Sequence, residues 1–304
     1  MSRLQVDHGH ELYYAEFGNP HGIPLLFMHG GPGSRCDPSH AHYLRPDLFR
    51  IIQLDQRGCG QSTPHGHLAA NTTEDLVHDM QRLKAHLGIE RWVIYGGSWG
   101  AVLALQYAKQ FPQATLGVLL RGAFLARLVD WQWFALPRGI AQQWPLAYQA
   151  MLDAAQVPYG HDPVPYFYQC LQTPNELAYR AALAWNTWEA CVMGVTPPRV
   201  NADATTWLTS IQRVQVHFHY AANQFFLGEQ GICADLNQLQ AIPIYAVHGL
   251  QDGACRYSAI TELAAQLPNM QVLGVTAGHG LHEQTMQQGL QRITTHLAQS
   301  LGLL

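Results

Sequence analysis

Short apolar runs bounded by turn residues punctuate the chain at Leu25 to Met28, Ile51 to Leu54, Trp92 to Tyr95, Leu116 to Leu120, Ile244 to Val247 and Val272 to Val275. Their hydrophobicity is nearly continuous, without strict alternation, which predicts strands buried on both faces of a parallel sheet. Between them the period becomes helical. Leu76, Met80, Leu83 and Leu87, at spacings of four, three and four, form one apolar stripe. Thr72 or Thr73 suits its N-cap, Glu74 and Asp75 suit its positive end, and Gly88 stops it. A second helix is expected from Ala101 to Phe111, ended by Pro112, and a last one from about Glu283 to Leu297. Strand, helix, strand predicts an α/β fold with a mostly parallel sheet.

From about Phe124 to Leu239 the pattern changes. Tryptophan, tyrosine and alanine are abundant, Glu176 to Glu189 reads as helix, Pro158 to Pro165 and Pro197 to Asp203 read as loops, and no strand period is present. This predicts a core of residues 1–121 and 242–304 interrupted by a helical cap, residues 122–241, lying over the strand ends where an α/β site belongs.

Composition narrows the function. With 304 residues, 48% of them hydrophobic, the chain can bury a sizeable core without crosslinks. A formal charge of -4 and 12% charged residues offer no basic face to nucleic acid. Six cysteines lack any C-x-x-C spacing and read as reduced thiols. The N-terminal stretch has no apolar core of signal type, and no apolar run reaches the ~18 residues a membrane span needs. A soluble cytoplasmic protein is expected, with its oligomeric state unknown. The pairs HGH at 8–10 and HAH at 40–42 lack a readable further ligand set, so neither a metal nor another cofactor is expected.

The chemistry enters at Gly96, Gly97, Ser98, Trp99, Gly100, directly after an apolar run and before a helix. G-x-S-x-G in that setting presents its serine as a nucleophile on a sharp turn. The serine needs a base, and the base an orienting acid, in the order nucleophile, acid, histidine for this architecture. Asp252 follows the run at 244–247, and His279 follows the run at 272–275, so both fall in loops beyond strand ends. His282 competes with His279 as base, and Asp252 has an alternative reading as a helix N-cap. For the oxyanion, the N–H groups of Trp99 and Gly31 are the candidates, the latter in His29-Gly30-Gly31-Pro32-Gly33. That glycine-rich turn lacks the residues of a phosphate loop or a dinucleotide fingerprint. Cys59 reads as packing, because no histidine base stands at motif spacing.

HGGPG at 29–33, DQRGCGQS at 55–62, GGSWG at 96–100, AWNTWE at 184–189, HYAANQFF at 219–226, HG..D at 248–252 and GH at 278–279 together closely resemble the prolyl aminopeptidase (proline iminopeptidase) family of α/β-hydrolases. The likeness extends across nearly the whole chain. It implies an α/β-hydrolase fold, release of an N-terminal proline from peptides without a metal, and Ser98, Asp252 and His279 as triad. It also implies cap residues for the substrate's imino group and ring: Glu189 with Trp185 and Trp188 of the W-x-x-W-E pattern, and Tyr220 of the histidine-tyrosine pair.

The chain departs from the family where a second cap glutamate is usual: His217 stands there, with Gln215 in place of arginine, and Leu250, Gln251 and Gln61 depart elsewhere. A neutral imidazole supplies no negative charge, so a weaker hold on the imine is expected. The expected substrate is a small peptide or an amino-acid amide or ester. The alternatives are a carboxylesterase and an aminopeptidase of altered residue preference.

Overall fold

A computed structural model describes residues 2–198 and 203–304. All six apolar runs are strands, and they pair edge to edge as the unbroken hydrophobicity requires. They are β3 (Ile23–Met28), β4 (Phe49–Leu54), β5 (Trp92–Gly97), β6 (Thr115–Arg121), β7 (Ile244–Gly249) and β8 (Met270–Val275), all parallel. Two strands were not anticipated, β1 (Ser2–Gln5) and β2 (Glu11–Gly18), which join antiparallel at one edge in the order β1-β2-β4-β3-β5-β6-β7-β8.

The pleat sends alternate residues of each strand to opposite layers. Leu26, Met28, Ile52, Ile94 and Leu120 pack with the helices α1 (Thr73–His86), α2 (Trp99–Gln110) and α8 (Tyr257–Ala264). Leu25, Phe27, Ile51, Val93 and Leu119 pack with α9 (Gln284–Ser300). All of these side chains are buried, so both faces of the strands are covered, and full burial of one such residue contributes about 1.5–3 kcal/mol. The expected stripe of α1 lies inward, and Thr72 is its N-cap: Thr72 Oγ1 accepts from Asp75 N–H at 3.2 Å while Asp75 Oδ2 accepts from Thr72 N–H at 3.0 Å.

Between β6 and β7 the described residues contain helices and no strand: α3 (Leu128–Ala135), α4 (Pro145–Ala154), α5 (Val164–Cys170), α6 (Glu176–Met193) and α7 (Ala204–Ala222). The loop expected over Pro158 to Pro165 ends early, because proline is tolerated in a first helical turn and α5 already begins at Val164. Of the loop expected over Pro197 to Asp203, residues 199–202 lie outside the described residues. Aromatic rings fill the space between these helices. Trp185 meets Phe167 and Phe218 at 5.6 and 4.7 Å between ring centroids, and Tyr148 meets Trp188 at 5.4 Å.

Polar tethers bind the segment to the sheet half. Tyr220 donates to Asn71 Oδ1 at 2.8 Å, Thr73 Oγ1 donates to the Phe225 carbonyl at 2.5 Å, and Trp133 Nε1 donates to the Gly253 carbonyl at 2.9 Å. No helix among the described residues is long and apolar enough to cross a membrane.

From β3 the chain crosses to β4 on one side of the sheet, and from β5 it crosses to β6 on the other. The reversal leaves a crevice at the carboxyl ends of β3 and β5, where open α/β sheets bind ligands.

Candidate active site

Four strand ends converge there. β3 delivers His29 to Gly33, β5 delivers Ser98, β7 delivers Asp252 and β8 delivers His279. Ser98 sits at φ 53°, ψ -122°, outside the ordinary regions, and α2 begins at the next residue. The flanking glycines make that turn sterically possible. A Cβ on Gly96 would lie 2.1 Å from the Gly100 carbonyl oxygen, and one on Gly100 would lie 2.2 Å from that of Met28. The Trp99 N–H, at the first residue of α2, is one of the donors helix geometry leaves without an intrahelical acceptor. Its indole Nε1 donates to Gln56 Oε1 at 3.0 Å, and Gln56 Nε2 donates to the His29 carbonyl at 2.8 Å, which ties the serine turn to the glycine-rich turn.

The acid and the histidine meet directly. His279 Nδ1 and Asp252 Oδ2 are 2.8 Å apart, and Asp252 Oδ1 accepts from the N–H groups of Ala254 and Cys255 at 2.9 and 2.8 Å. Burial alone would raise the Asp252 carboxyl, but His279 outweighs it, assisted by His248 and the Cys255 N–H, and holds it below its ordinary value. The sequence motif did not reveal what His248 does. Its Nε2 lies 2.7 Å from the Cys255 carbonyl and 3.5 Å from Asp252 Oδ2, so it braces the acid from behind. Burial holds His248 below its ordinary pKa, against the pull of Asp252, and it stays neutral at pH 7.

Ser98 and His279 line one partly open cavity of about 60 Å³ together with Gly31, Glu189 and His217. Its walls are Phe124, Trp131, Phe134 and Phe225, a size and polarity suited to a small ring or aliphatic group. Ser98 Oγ is not hydrogen-bonded to His279 in this arrangement; contacts of this kind tighten around a substrate. Cys255 also lines the cavity. Burial, then the charge of Asp252, pushes its thiol well above the ordinary value, so it contributes bulk and not a thiolate.

At the polar end, Glu189 Oε2 accepts from Arg213 Nη2 at 2.8 Å, while Oε1 lies 3.7 Å from His217 Nδ1 and makes no hydrogen bond among the described residues. Burial pushes His217 down to about 4, against the attraction of Glu189, so its ring is neutral and its buried Nε2 has no partner. Arg213 escaped notice in the sequence. Its spacing of four from His217 on α7 was the available signal, since that spacing places both on one helix face.

Trp185, Trp188 and Tyr220 lie outside the lining of the cavity. All three are buried behind it: Trp185 packs on His217 at 5.0 Å between centroids and Tyr220 on Trp99 at 4.9 Å. Cys59 is buried, with its thiol donating to the Arg57 carbonyl at 3.3 Å, and Arg57 forks onto Asp79 with two bonds of 2.6 Å. His282, the competitor for the base, is exposed and lines only the outer groove.

A family model described as alpha/beta hydrolase fold matches residues 23–285. The chain is 33% identical over 300 residues to the proline iminopeptidase of Neisseria meningitidis serogroup A / serotype 4A, covering 97% of this chain and 96% of that one. It is 36% identical over 281 residues to the proline iminopeptidase of Xylella fastidiosa strain 9a5c, covering 91% and 89%. Among solved structures, an esterase from Exiguobacterium antarcticum superposes with a TM-score of 0.63 at 14% identity over 97% of this chain and 98% of that one.

Proposed function

The chain belongs to the proline iminopeptidase family of α/β-hydrolases, and from that membership we propose that it is a serine aminopeptidase releasing an N-terminal proline from peptides through a covalent acyl-enzyme. In this reading His279 takes the Ser98 proton, Ser98 attacks the scissile carbonyl, and Asp252 stabilises the imidazolium that forms. The N–H groups of Gly31 and Trp99 receive the oxyanion. His279 then protonates the leaving amine, and water, activated by the same histidine, frees the prolyl group. The observation that carries this is the His279–Asp252 hydrogen bond of 2.8 Å at the rim of a small cavity that also holds Ser98 and Glu189.

Glu189 is the carboxylate for the protonated imino group, with Oε1 as acceptor. Limiting cleavage to the first residue follows from it, because a blocked nitrogen carries neither the charge nor the two N–H groups. Trp185 and Tyr220 act indirectly, by holding His217 and the serine turn, and Trp188 by backing Phe134 in the cavity wall. The helical segment over residues 122–241 is the cap in this scheme, and residues 1–121 and 242–304 the catalytic core. We assign the enzyme to the cytoplasm, because all six thiols are free and a reducing compartment keeps them so.

Because Arg213 already neutralises Glu189 and His217 is uncharged, selectivity rests largely on ring shape, with charge a smaller part. The test is a panel of proline, alanine, glycine and N-acetylproline arylamides beside short acyl esters. Proline arylamide is expected to give the highest kcat/KM, with the acetylated form inert. Faster turnover of the esters, or cleavage of N-acetylproline arylamide, contradicts the aminopeptidase reading.

A further inference from the structure

A second space adjoins the aromatic cavity and shares Gly31, Ser98, Glu189, Met193 and His279 with it, a groove of about 430 Å³. The segment from His279 to His282 forms part of its wall. An acyl group seated in the small cavity places the leaving nitrogen against His279, which must protonate it, so the released part of the substrate runs out along this groove. That assignment rests on the acyl transfer proposed above.

The charge of the groove is unlike that of the whole chain, whose formal net charge is -4. Arg35, Arg121 and Arg213 line it, and Glu189 is its sole carboxylate among the described residues, already paired with Arg213. His40, also in the lining, is held below its ordinary pKa by burial and carries no charge at pH 7. Two guanidinium groups therefore face the groove without a carboxylate in it. Arg121 donates from Nη1 to the His279 carbonyl at 2.6 Å, and its buried Nε has no partner. Arg35 is exposed at the mouth and makes no hydrogen bond or ion pair among the described residues. Its acidic neighbour Asp37 is engaged chiefly with Ser39, accepting from the backbone N–H at 2.8 Å and the hydroxyl at 2.7 Å, and the Arg35 charge adds only a smaller pull on that carboxylate.

We propose that this groove recognises a carboxylate on the leaving group, namely the C-terminal carboxylate of a short peptide, with Arg35 as its principal contact and Arg121 behind. The favoured substrates are then free prolyl di- and tripeptides. A chain rises at most ~3.3–3.6 Å per residue, so one or two residues beyond the scissile bond carry the carboxylate from Ser98 toward the mouth. A guanidinium is the group suited to receive it, through two parallel hydrogen bonds.

The experiment compares kcat/KM for prolyl-glycine and prolyl-glycyl-glycine as free acids and as C-terminal amides, in wild type, Arg35→Gln and Arg35→Glu, with proline arylamide as the control. A further arm sets prolyl-glutamyl amide against prolyl-glutaminyl amide. The free acids are expected to be favoured by about fivefold or more, the scale of one partly exposed charge pair, through KM and not kcat. Arg35→Gln should abolish that preference and Arg35→Glu reverse it, while arylamide turnover stays within about twofold of wild type in both. Equal turnover of acids and amides by an enzyme that still cleaves the arylamide overturns the proposal, as does a preference that survives Arg35→Glu. Discrimination only in the glutamyl arm overturns the terminal assignment, moving the carboxylate to a side chain. Failure to cleave the arylamide at all instead removes the aminopeptidase reading.

Discussion

The Asp252 carboxylate accepts hydrogen bonds from two backbone N–H groups at 2.9 and 2.8 Å and lies 2.8 Å from His279 Nδ1, an arrangement that suits an ionised acid and a proton on Nδ1. That tautomer leaves Nε2 as the basic nitrogen for Ser98. Asp252→Asn should offer an amide N–H in place of an acceptor and select the wrong tautomer. Steady-state kinetics on proline arylamide should show kcat lowered by about 10⁴-fold with KM little changed; a variant retaining a tenth of the wild-type kcat would contradict the role. That Ser98, Asp252 and His279 would converge on one crevice was legible in the sequence because each follows an apolar run, in the order this architecture uses. His248, Cys255 and Arg213 were not. Arg213 meets Glu189 across two helices and 24 positions, a pairing that no local pattern announces.

At the scale of elements, the serine turn depends on β5 and α2 packing almost backbone to backbone. Gly100→Ala would place a Cβ 2.2 Å from the Met28 carbonyl and push α2 away from β3. Overpacking of this kind costs about 1–3 kcal/mol, and the displaced Trp99 N–H should lower kcat as well. Chemical denaturation and arylamide kinetics on the same sample check both; unchanged stability would mean the contact relaxes freely. The parallel strands were readable because burial on both faces leaves unbroken apolar runs. β1 and β2 escaped because β1 alternates between half-buried and exposed positions at the sheet edge, and β2 ends in the same alternation. The helices α3, α4 and α5 were hidden for a different reason: short elements in an aromatic-rich segment pack on several sides and show no single stripe.

Across the whole molecule, burial holds six histidines below their ordinary pKa: His10, His29, His40, His217, His219 and His248. An unfolded chain protonates these rings near 6.5, the ordinary value of histidine, while the folded chain does so only at lower pH, His217 at about 4. The unfolded state therefore binds more protons in that interval, and stability must fall as pH drops from about 6.5 toward 4. Urea midpoints measured between pH 8 and pH 5 should be flat at the upper end and decline below about 6.5; a midpoint that rises on acidification would contradict the burial of these rings as neutral groups. Of this set, His29, His40 and His217 line the candidate site and His248 backs Asp252; the helical segment between β6 and β7 was visible as a loss of strand period, though the pairing inside it was not. The most direct test of the account is turnover of proline arylamide by wild type and Ser98→Ala, with the folded state of both verified by circular dichroism. The account requires robust release of the amine by wild type and loss of at least about 10⁴-fold in kcat for the variant; a folded Ser98→Ala protein that turns over at the wild-type rate would contradict it.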